Sequence, residues 1–284
     1  MPPSLESSSN AAQIDYWNAI AGETWAQYQA QLDGLIEPLG VESLRTLAPR
    51  TGERIVDIGC GCGQTSLDLA ARVGPNGWVL GVDISLPMLA VARRRPLPPS
   101  VRRPDFRQLD VQNEDLGRSA FAAAFSRFGV MFFSEPVTAL ANIRTSLTPG
   151  GRLGFVCWRT LEENPWMKFP LDAALPFIPP VAPPDPTTPG PFAFADARRI
   201  RSILSEAGFG SMTIKPFDTR IGGADVAQTL ALALRVGPLG ATLREHPELT
   251  DRVRDAVQNS LSQFLTPAGV LMPAAVWIVL AHNE

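Results

Sequence analysis

Short apolar runs alternate with segments of helical periodicity between residues 54 and 158. The runs end in polar or acidic residues, and in the segments between them apolar residues recur three or four positions apart. This alternation predicts parallel strands joined by helices, that is, a doubly wound α/β sheet. Ser85 and Ser134 are the predicted N-caps of two of these helices. The predicted strands are 54–58, 78–82, 106–109, 120–126 and 152–158, and the helices are about 65–72, 87–94 and 135–147.

The flanking segments do not follow this alternation. Helical spacing occurs at 11–31 and 35–47, and ten of the 27 prolines fall between residues 165 and 191. So many prolines predict a structured cap or a long loop rather than a strand–helix unit. Later helices are predicted at 196–207, 225–236, 240–244 and 248–265, and strands at 212–217 and 274–281. We expect a helical N-terminal segment (1–50), a core (51–160), a Pro-rich cap segment (161–195), and a C-terminal part of the core (196–284) with a helical insertion (224–266).

Composition narrows the classes of function. The formal net charge is −3, which argues against nucleic acid or a membrane surface as a partner bound through bulk positive charge. Three cysteines give no disulfide framework. No apolar run reaches about 18 residues, and the first residues do not resemble a signal peptide. We therefore expect a cytoplasmic protein without membrane insertion; the oligomeric state stays open, with a homodimer as one option.

A glycine-rich turn follows the first predicted strand. Asp57 is followed by Gly59, Gly61 and Gly63, and a helical pattern then begins. Strand, glycine turn and helix form the layout that lets a backbone approach a nucleotide-like ligand closely. A dinucleotide-binding fingerprint would need glycine at 64, where Gln64 stands. The spacing therefore disfavours a nicotinamide-dependent oxidoreductase without excluding it.

Four later features occur in order at matching spacing. They are the acids Asp83 and Asp110 after the second and third strands, the segment 125–133 after the fourth, and the turn 147–153 into the fifth. With the glycine turn they resemble the class I S-adenosylmethionine (SAM) dependent methyltransferases, in particular the ubiquinone/menaquinone-biosynthesis-like small-molecule branch. The resemblance implies a Rossmann-like seven-stranded sheet of order 3-2-1-4-5-7-6, with strand 7 antiparallel and helical cap insertions. It also implies SAM as cofactor and S-adenosylhomocysteine (SAH) as product.

The resemblance also assigns roles to individual residues. The three glycines would bring the backbone near the methionine moiety of SAM, and Asp57 would orient this loop and reach the amino end. Asp83 would accept hydrogen bonds from both ribose hydroxyls. The other implied cofactor contacts are Ile84 on the adenine face, Asp110 and Val111 at the adenine edge, and Ser126 and Arg127 at the methionine end or the substrate.

The N-terminal helical pattern has two interpretations. It contains Trp25 and both tyrosines of the chain, Tyr16 and Tyr28. One interpretation is an amphipathic helix docked on the core. The other is a lid over the cofactor, in which Trp25 would face the sulfonium, because aromatic faces attract cations. Enzymes that this chain resembles often carry such a lid.

The sequence leaves the acceptor and the catalytic base open. We expect methyl transfer to oxygen, carbon or nitrogen of a small apolar acceptor, because the predicted cap segments are rich in apolar and aromatic residues. No metal-ligand cluster is visible, and His246 is a weak candidate for a general base. The alternative from another class is a SAM-binding regulator or a non-methylating enzyme of the same fold.

Overall fold

A computed structural model of the chain describes residues 10–180, 183 and 185–284. The helices of this part are α1 (Ala11–Asn18), α2 (Ile20–Gln27), α3 (Gln29–Leu47), α4 (Gln64–Val73), α5 (Leu86–Arg94), α6 (Pro136–Ser146), α7 (Pro165–Ala174), α8 (Ala197–Glu206), α9 (Val226–Ala233), α10 (Gly237–Glu245) and α11 (Thr250–Ser262). The strands are β1 (Arg54–Ile58), β2 (Trp78–Asp83), β3 (Asp105–Gln108), β4 (Phe121–Arg127), β5 (Leu147–Trp158), β6 (Met212–Gly222), β7 (Leu265–Thr266) and β8 (Gly269–His282).

Seven of these strands form one sheet in the order β3-β2-β1-β4-β5-β8-β6. Neighbours among β1 to β5 run parallel, whereas β8 runs antiparallel to both β5 and β6. The two-residue β7 pairs only with β8. The predicted fold class and strand order are therefore confirmed, with β8 in the place of the predicted seventh strand.

The core lies on both faces of this sheet. Successive strand residues point to opposite faces, so Ile55 packs with Leu44 and Leu69 under α3 and α4, while Val56 packs on the other face with Ile143 of α6. Burial on both faces explains why the central strands read as near-continuous apolar runs. The helices thereby hold the carboxyl ends of β1, β2 and β4 at one edge of the sheet.

A second apolar cluster lies in the helical cap, where residues of α7, α9, α10 and α11 pack with the start of β8. The Pro-rich stretch, for which a structured cap or a long loop was predicted, contains the helix α7. Pro165 occupies the first turn of α7, where proline needs no N–H partner. Residues 181, 182 and 184 of that stretch lie outside the described residues. Within the described chain, no single helix is long and apolar enough to cross a membrane; α9 and α10 reach that length and apolarity only as a pair, which is bent by 58°.

The N-terminal region differs from the two predicted helices. The predicted 11–31 helix breaks at Ala19, whose backbone is extended, and again at Tyr28, where the longer α3 begins. Ser85 occupies the predicted N-cap position of α5, although its side chain makes no capping hydrogen bond, and the prediction for Ser134 was wrong because Glu135 is the N-cap residue of α6. Ser85 donates its hydroxyl to the carbonyl of Trp17, and Ser134 donates to the Asn10 side chain. Both hydroxyls are used by partners far away in sequence, which a local capping rule does not take into account.

The last two long strands extend beyond their predicted bounds. β6 and β8 pair continuously from Met212 with Ala281 to Gly222 with Leu271. Pro216 lies inside β6, and it is tolerated there because β6 is the edge strand of the sheet. The extra pairs extend the two antiparallel strands to the helical cap, where Val270 and Met272 of β8 pack in its apolar cluster.

Candidate functional site

A cavity of about 660 Å³ opens where the parallel strands end. Its floor comes from the carboxyl ends of β1, β2 and β4 and the residues just after β3, at the point where the strand order reverses between β1 and β4. Ligands bind at this place in open α/β sheets. The N-terminal helices α1 and α2 form one side of the cavity, and α7 and α10 form another.

The turn between β1 and α4 adopts a conformation that favours glycine. Gly59, Gly61 and Gly63 have φ angles of 63°, 53° and 83°, in the left-handed region. A Cβ on Gly59 would lie 2.9 Å from the Cα of Gly129, which follows β4. The two loops therefore touch backbone to backbone. Gly59 and Gly129 line the cavity, whereas Gly61 and Gly63 lie behind it, and Gly63 packs against Phe106.

Asp83 is a half-buried carboxylate on the cavity wall. Its Oδ2 accepts the N–H of Gly61 at 2.8 Å, and its Oδ1 accepts the N–H of Ser85 at 2.8 Å. Burial raises the pKa of the Asp83 carboxyl, and the backbone N–H groups oppose that shift. Each oxygen keeps acceptor capacity beyond these bonds. The geometry therefore suits a ligand that presents a pair of hydroxyl donors.

Asp57 lies beneath the glycine turn and not on the cavity wall. It is fully buried, and its Oδ2 accepts the hydroxyls of Thr65 at 2.7 Å and Ser66 at 2.6 Å. Its Oδ1 has no donor among the described residues. Burial raises the pKa of the Asp57 carboxyl to about 6. Asp57 thus holds the start of α4 to β1, with one acceptor left unpaired.

The predicted adenine end contains an additional residue that the sequence did not single out. Asn10 donates from its side-chain amide to Asp110 Oδ1 at 3.0 Å and accepts from Ser134. Asp110 also accepts from the Asn113 side chain at 2.6 Å. Ile84 and Val111 lie on the cavity wall with Asn10 and Asp110. Asn10 is 100 positions from its partner, so no local pattern could have revealed it.

The predicted methionine end contains a network of charges. Arg127 lies on the cavity wall and pairs with Asp33 of α3 at 3.0 Å. The other oxygen of Asp33 pairs with Arg95 at 2.5 Å, and Arg95 also donates to Gln64 at the start of α4. Ser126 is buried away from the cavity, where its hydroxyl accepts the Gly129 N–H. Neither Asp33 nor Arg95 was a sequence candidate.

The helices α1 and α2 lie over the site. Trp25 and Trp17 line the cavity, and their ring centroids are 6.1 Å apart. The side chain of Asn18 donates to the Ile84 carbonyl at 2.9 Å and accepts the Leu86 N–H at 2.9 Å. These bonds fasten the N-terminal helices to the loop that follows Asp83.

The far half of the cavity is apolar and aromatic. Phe128 and Trp158 stack with centroids 4.2 Å apart, and Trp166 lies 5.1 Å from Trp158. Its remaining apolar lining includes Met131, Leu161, Met167, Leu171, Leu175, Phe192, Val236 and Pro238. The charged groups on this side are Glu162, Arg244 and Glu245.

His246 does not line this cavity. Its side chain is half-exposed after α10, and Nδ1 lies 3.5 Å from the Glu248 carboxylate. The structure therefore does not place the predicted base candidate at the site. Among the described residues, no cluster of three or more His, Cys, Asp or Glu side chains could hold a metal ion.

Comparison with known proteins identifies the class. Residues 55–151 match the family described as "Methyltransferase domain". The chain is 32% identical over 118 residues to aklanonic acid methyltransferase DauC of Streptomyces sp. strain C5, covering 42% of this chain and 54% of that protein. It is 29% identical over 119 residues to the demethylmenaquinone methyltransferase of Lactococcus lactis, covering 42% and 46%. The chain thus spans about half the length of these curated relatives.

Two solved structures show the same fold. The YcgJ protein of Bacillus subtilis superposes with a TM-score of 0.56 at 16% identity, covering 87% of this chain and 97% of that one. Phosphoethanolamine N-methyltransferase 2 of Haemonchus contortus gives a TM-score of 0.58 at 16% identity, covering 99% and 61%. The family match shows that residues 55–151 form a methyltransferase domain, the sheet has the strand order of that fold, and the cofactor of this domain is SAM.

The residues present fit this cofactor. The Asp83 carboxylate stands on the cavity wall with acceptor capacity for two hydroxyls. Aromatic faces of the N-terminal helices line the same cavity, which suits a sulfonium.

Proposed function

We propose that the protein transfers the methyl group of SAM to a small, apolar, ring-containing acceptor. The observation that carries this proposal is the continuity of one cavity. It extends from Gly59 and Asp83 at the strand ends to the aromatic residues Phe128, Trp158 and Trp166. Its volume of about 660 Å³ is within the usual range for small-molecule sites.

We further assign the cofactor half as follows. Asp83 holds the ribose, Ile84 and Val111 pack on the adenine, and Asp110, positioned by Asn10, faces its edge. Gly59 lets the backbone approach the methionine end, Arg127 stands beside it, and Trp25 covers it. Four residues lie behind the cavity wall and hold the loops after β1 and β4 in place: Asp57, Gly61, Gly63 and Ser126.

The bound cofactor supplies a methyl group that is already activated by its sulfonium. The protein therefore has to hold the acceptor in line with that methyl and to exclude water. Orientation of this kind lowers the activation free energy by on the order of 7–11 kcal/mol in favourable cases. The aromatic wall orients a flat ring, and α1 and α2 limit the access of water. The proposed methyl-accepting atom is oxygen, carbon or nitrogen.

Binding measurements test the cofactor half of the proposal. Titration calorimetry should show micromolar binding of SAM and SAH and no heat with NAD. Asp83→Ala should lower the affinity for SAH about 100-fold, because hydrogen bonds to a charged group contribute about 1.5–3 kcal/mol each to binding. Asp255→Ala, on the exposed face of α11, is the matched control and should bind as the wild type does. Binding of NAD alone would overturn the assignment.

Turnover measurements test the transfer. Methyl-labelled SAM should pass its label to members of a panel of apolar ring compounds that carry hydroxyl, carboxyl or amine groups. Tight SAM binding with no labelled product from any member would favour a SAM-binding regulator or a non-methylating enzyme instead.

A further inference from the structure

Arg244 is a cation on the wall of the acceptor half of the cavity. It lies in the last turn of α10, one of the helices that line the cavity. Its Nη2 donates to the Tyr16 hydroxyl at 2.7 Å, and its Nη1 donates to the Arg235 carbonyl at 3.0 Å. The guanidinium carbon lies 5.7 Å from the Tyr16 ring centroid. These contacts from α1 and from the turn before α10 fix the guanidinium in place.

The charge of Arg244 has no counterion in the described part of the chain. No carboxylate there lies within 4.0 Å of its nitrogens. Glu162 and Glu245 also line the cavity, but they are exposed and neither pairs with it. Arg127, in contrast, lines the cofactor half and is paired with Asp33.

The hydrogen-bonding capacity of Arg244 is also incomplete. A guanidinium carries five N–H donors, and only two are used here, both on neutral oxygens. A partly buried cation gains most from a partner that brings both negative charge and paired oxygens. Carboxylates and similar planar oxyanions match the fork of an arginine.

We propose that Arg244 is a specificity-determining residue that binds an anionic group, of the carboxylate type, on the methyl acceptor. This inference rests on the proposed function and names its substrate class: an apolar ring system that lies on Phe128, Trp158 and Trp166 with an oxyanion at its outer end. Tyr16 positions the guanidinium from the N-terminal helices. The contact between α1 and α10 and the recognition of the anion thus involve the same side chain.

A pair of probes that differ only in charge tests the proposal. Anthracenecarboxylate and its neutral carboxamide are titrated by fluorescence into protein saturated with SAH. The wild type should bind the carboxylate about tenfold more tightly than the amide. Arg244→Gln should remove that preference and leave the amide affinity unchanged. Arg252 lies on the exposed face of α11, outside the cavity. Arg252→Gln makes the same change of charge and should keep the preference for the carboxylate.

Further measurements separate recognition from folding. Arg244→Lys should keep part of the preference, because it retains the charge but not the fork. Added salt should reduce the carboxylate affinity and leave the amide affinity unchanged. Equal affinities for the two probes, equal losses of both in Arg244→Gln, or no binding of either probe would overturn the proposal. SAH titrations on the same samples report the proposed function separately, since absence of SAH binding would count against the cofactor assignment alone.

Discussion

Two carboxylates near the glycine turn have different tasks because their surroundings differ. Asp83 lies at the cavity wall between two backbone N–H donors, and it can accept more. Asp57 is two residues before the first glycine of the turn, yet it is fully buried and accepts two hydroxyls through one oxygen. Both are acids in strands of the same sheet. The difference between Asp83, which is available to a ligand, and Asp57, which holds the loop, therefore comes from their burial and their hydrogen-bond partners.

The buried state of Asp57 predicts a pH-dependent stability. Its pKa is about 6 in the folded protein and about 4 in an unfolded chain, so the folded state binds the proton more tightly. Stability is therefore lost as pH rises from about 4 to about 6, by roughly 3 kcal/mol. Urea unfolding of wild type and Asp57→Asn should show the wild type losing this much relative to the variant between pH 4 and pH 7. Asp255→Asn should show no such trend. A constant difference across the range would mean that Asp57 titrates near its ordinary pKa.

At the scale of elements, α2 packs closely on the loop after β2. The reason is Gly22, where a Cβ would lie 2.0 Å from the Trp17 carbonyl oxygen and 2.6 Å from Ser85 Oγ. The absence of a side chain lets α2 pass this point and bring Trp25 to the cavity. The sequence showed helical spacing here, but it did not show which helical residue must be glycine.

Gly22→Ala should therefore lift α2 from the site. Overpacking of this kind costs about 1–3 kcal/mol, so we expect SAH affinity to fall about tenfold. Hydrogen exchange of 11–27 should also become faster. Gly34→Ala in α3 is the matched control: a Cβ there meets nothing within 4 Å, and it should stabilise the protein by up to about 1 kcal/mol. Wild-type SAH affinity in Gly22→Ala would show that these helices do not cover the cofactor.

At the scale of the whole molecule, Asp33 joins three distant segments. It links α3 to Arg95 after α5 and to Arg127 at the end of β4. The three side chains are only 12–16% exposed. Removing the shared acid leaves two arginines without their counterion, which is the costly way to break a buried ion pair.

We expect Asp33→Asn to lower the free energy of unfolding by about 3 kcal/mol, measured by urea denaturation. Asp172→Asn is the matched control, because its pair with Lys168 is 34–44% exposed and should contribute less than about 1 kcal/mol. Equal, small effects for the two variants would contradict the view that this network holds the segments together.

The order of amino acids was enough to predict the α/β sheet and the glycine turn, because alternating periodicities and turn glycines are local signals. The strand order came from the resemblance to the SAM-dependent methyltransferases. The sequence also indicated Asp83, Ile84, Asp110, Val111, Arg127 and Trp25, which all line the cavity. It could not place Asn10, Asp33 or Arg244, since each contacts a side chain 62 to 228 positions away. Nor could it show that Asp57 lies behind the cavity wall, or that the helix α7 forms among the prolines. Those outcomes depend on packing between remote segments, which only the folded chain brings together.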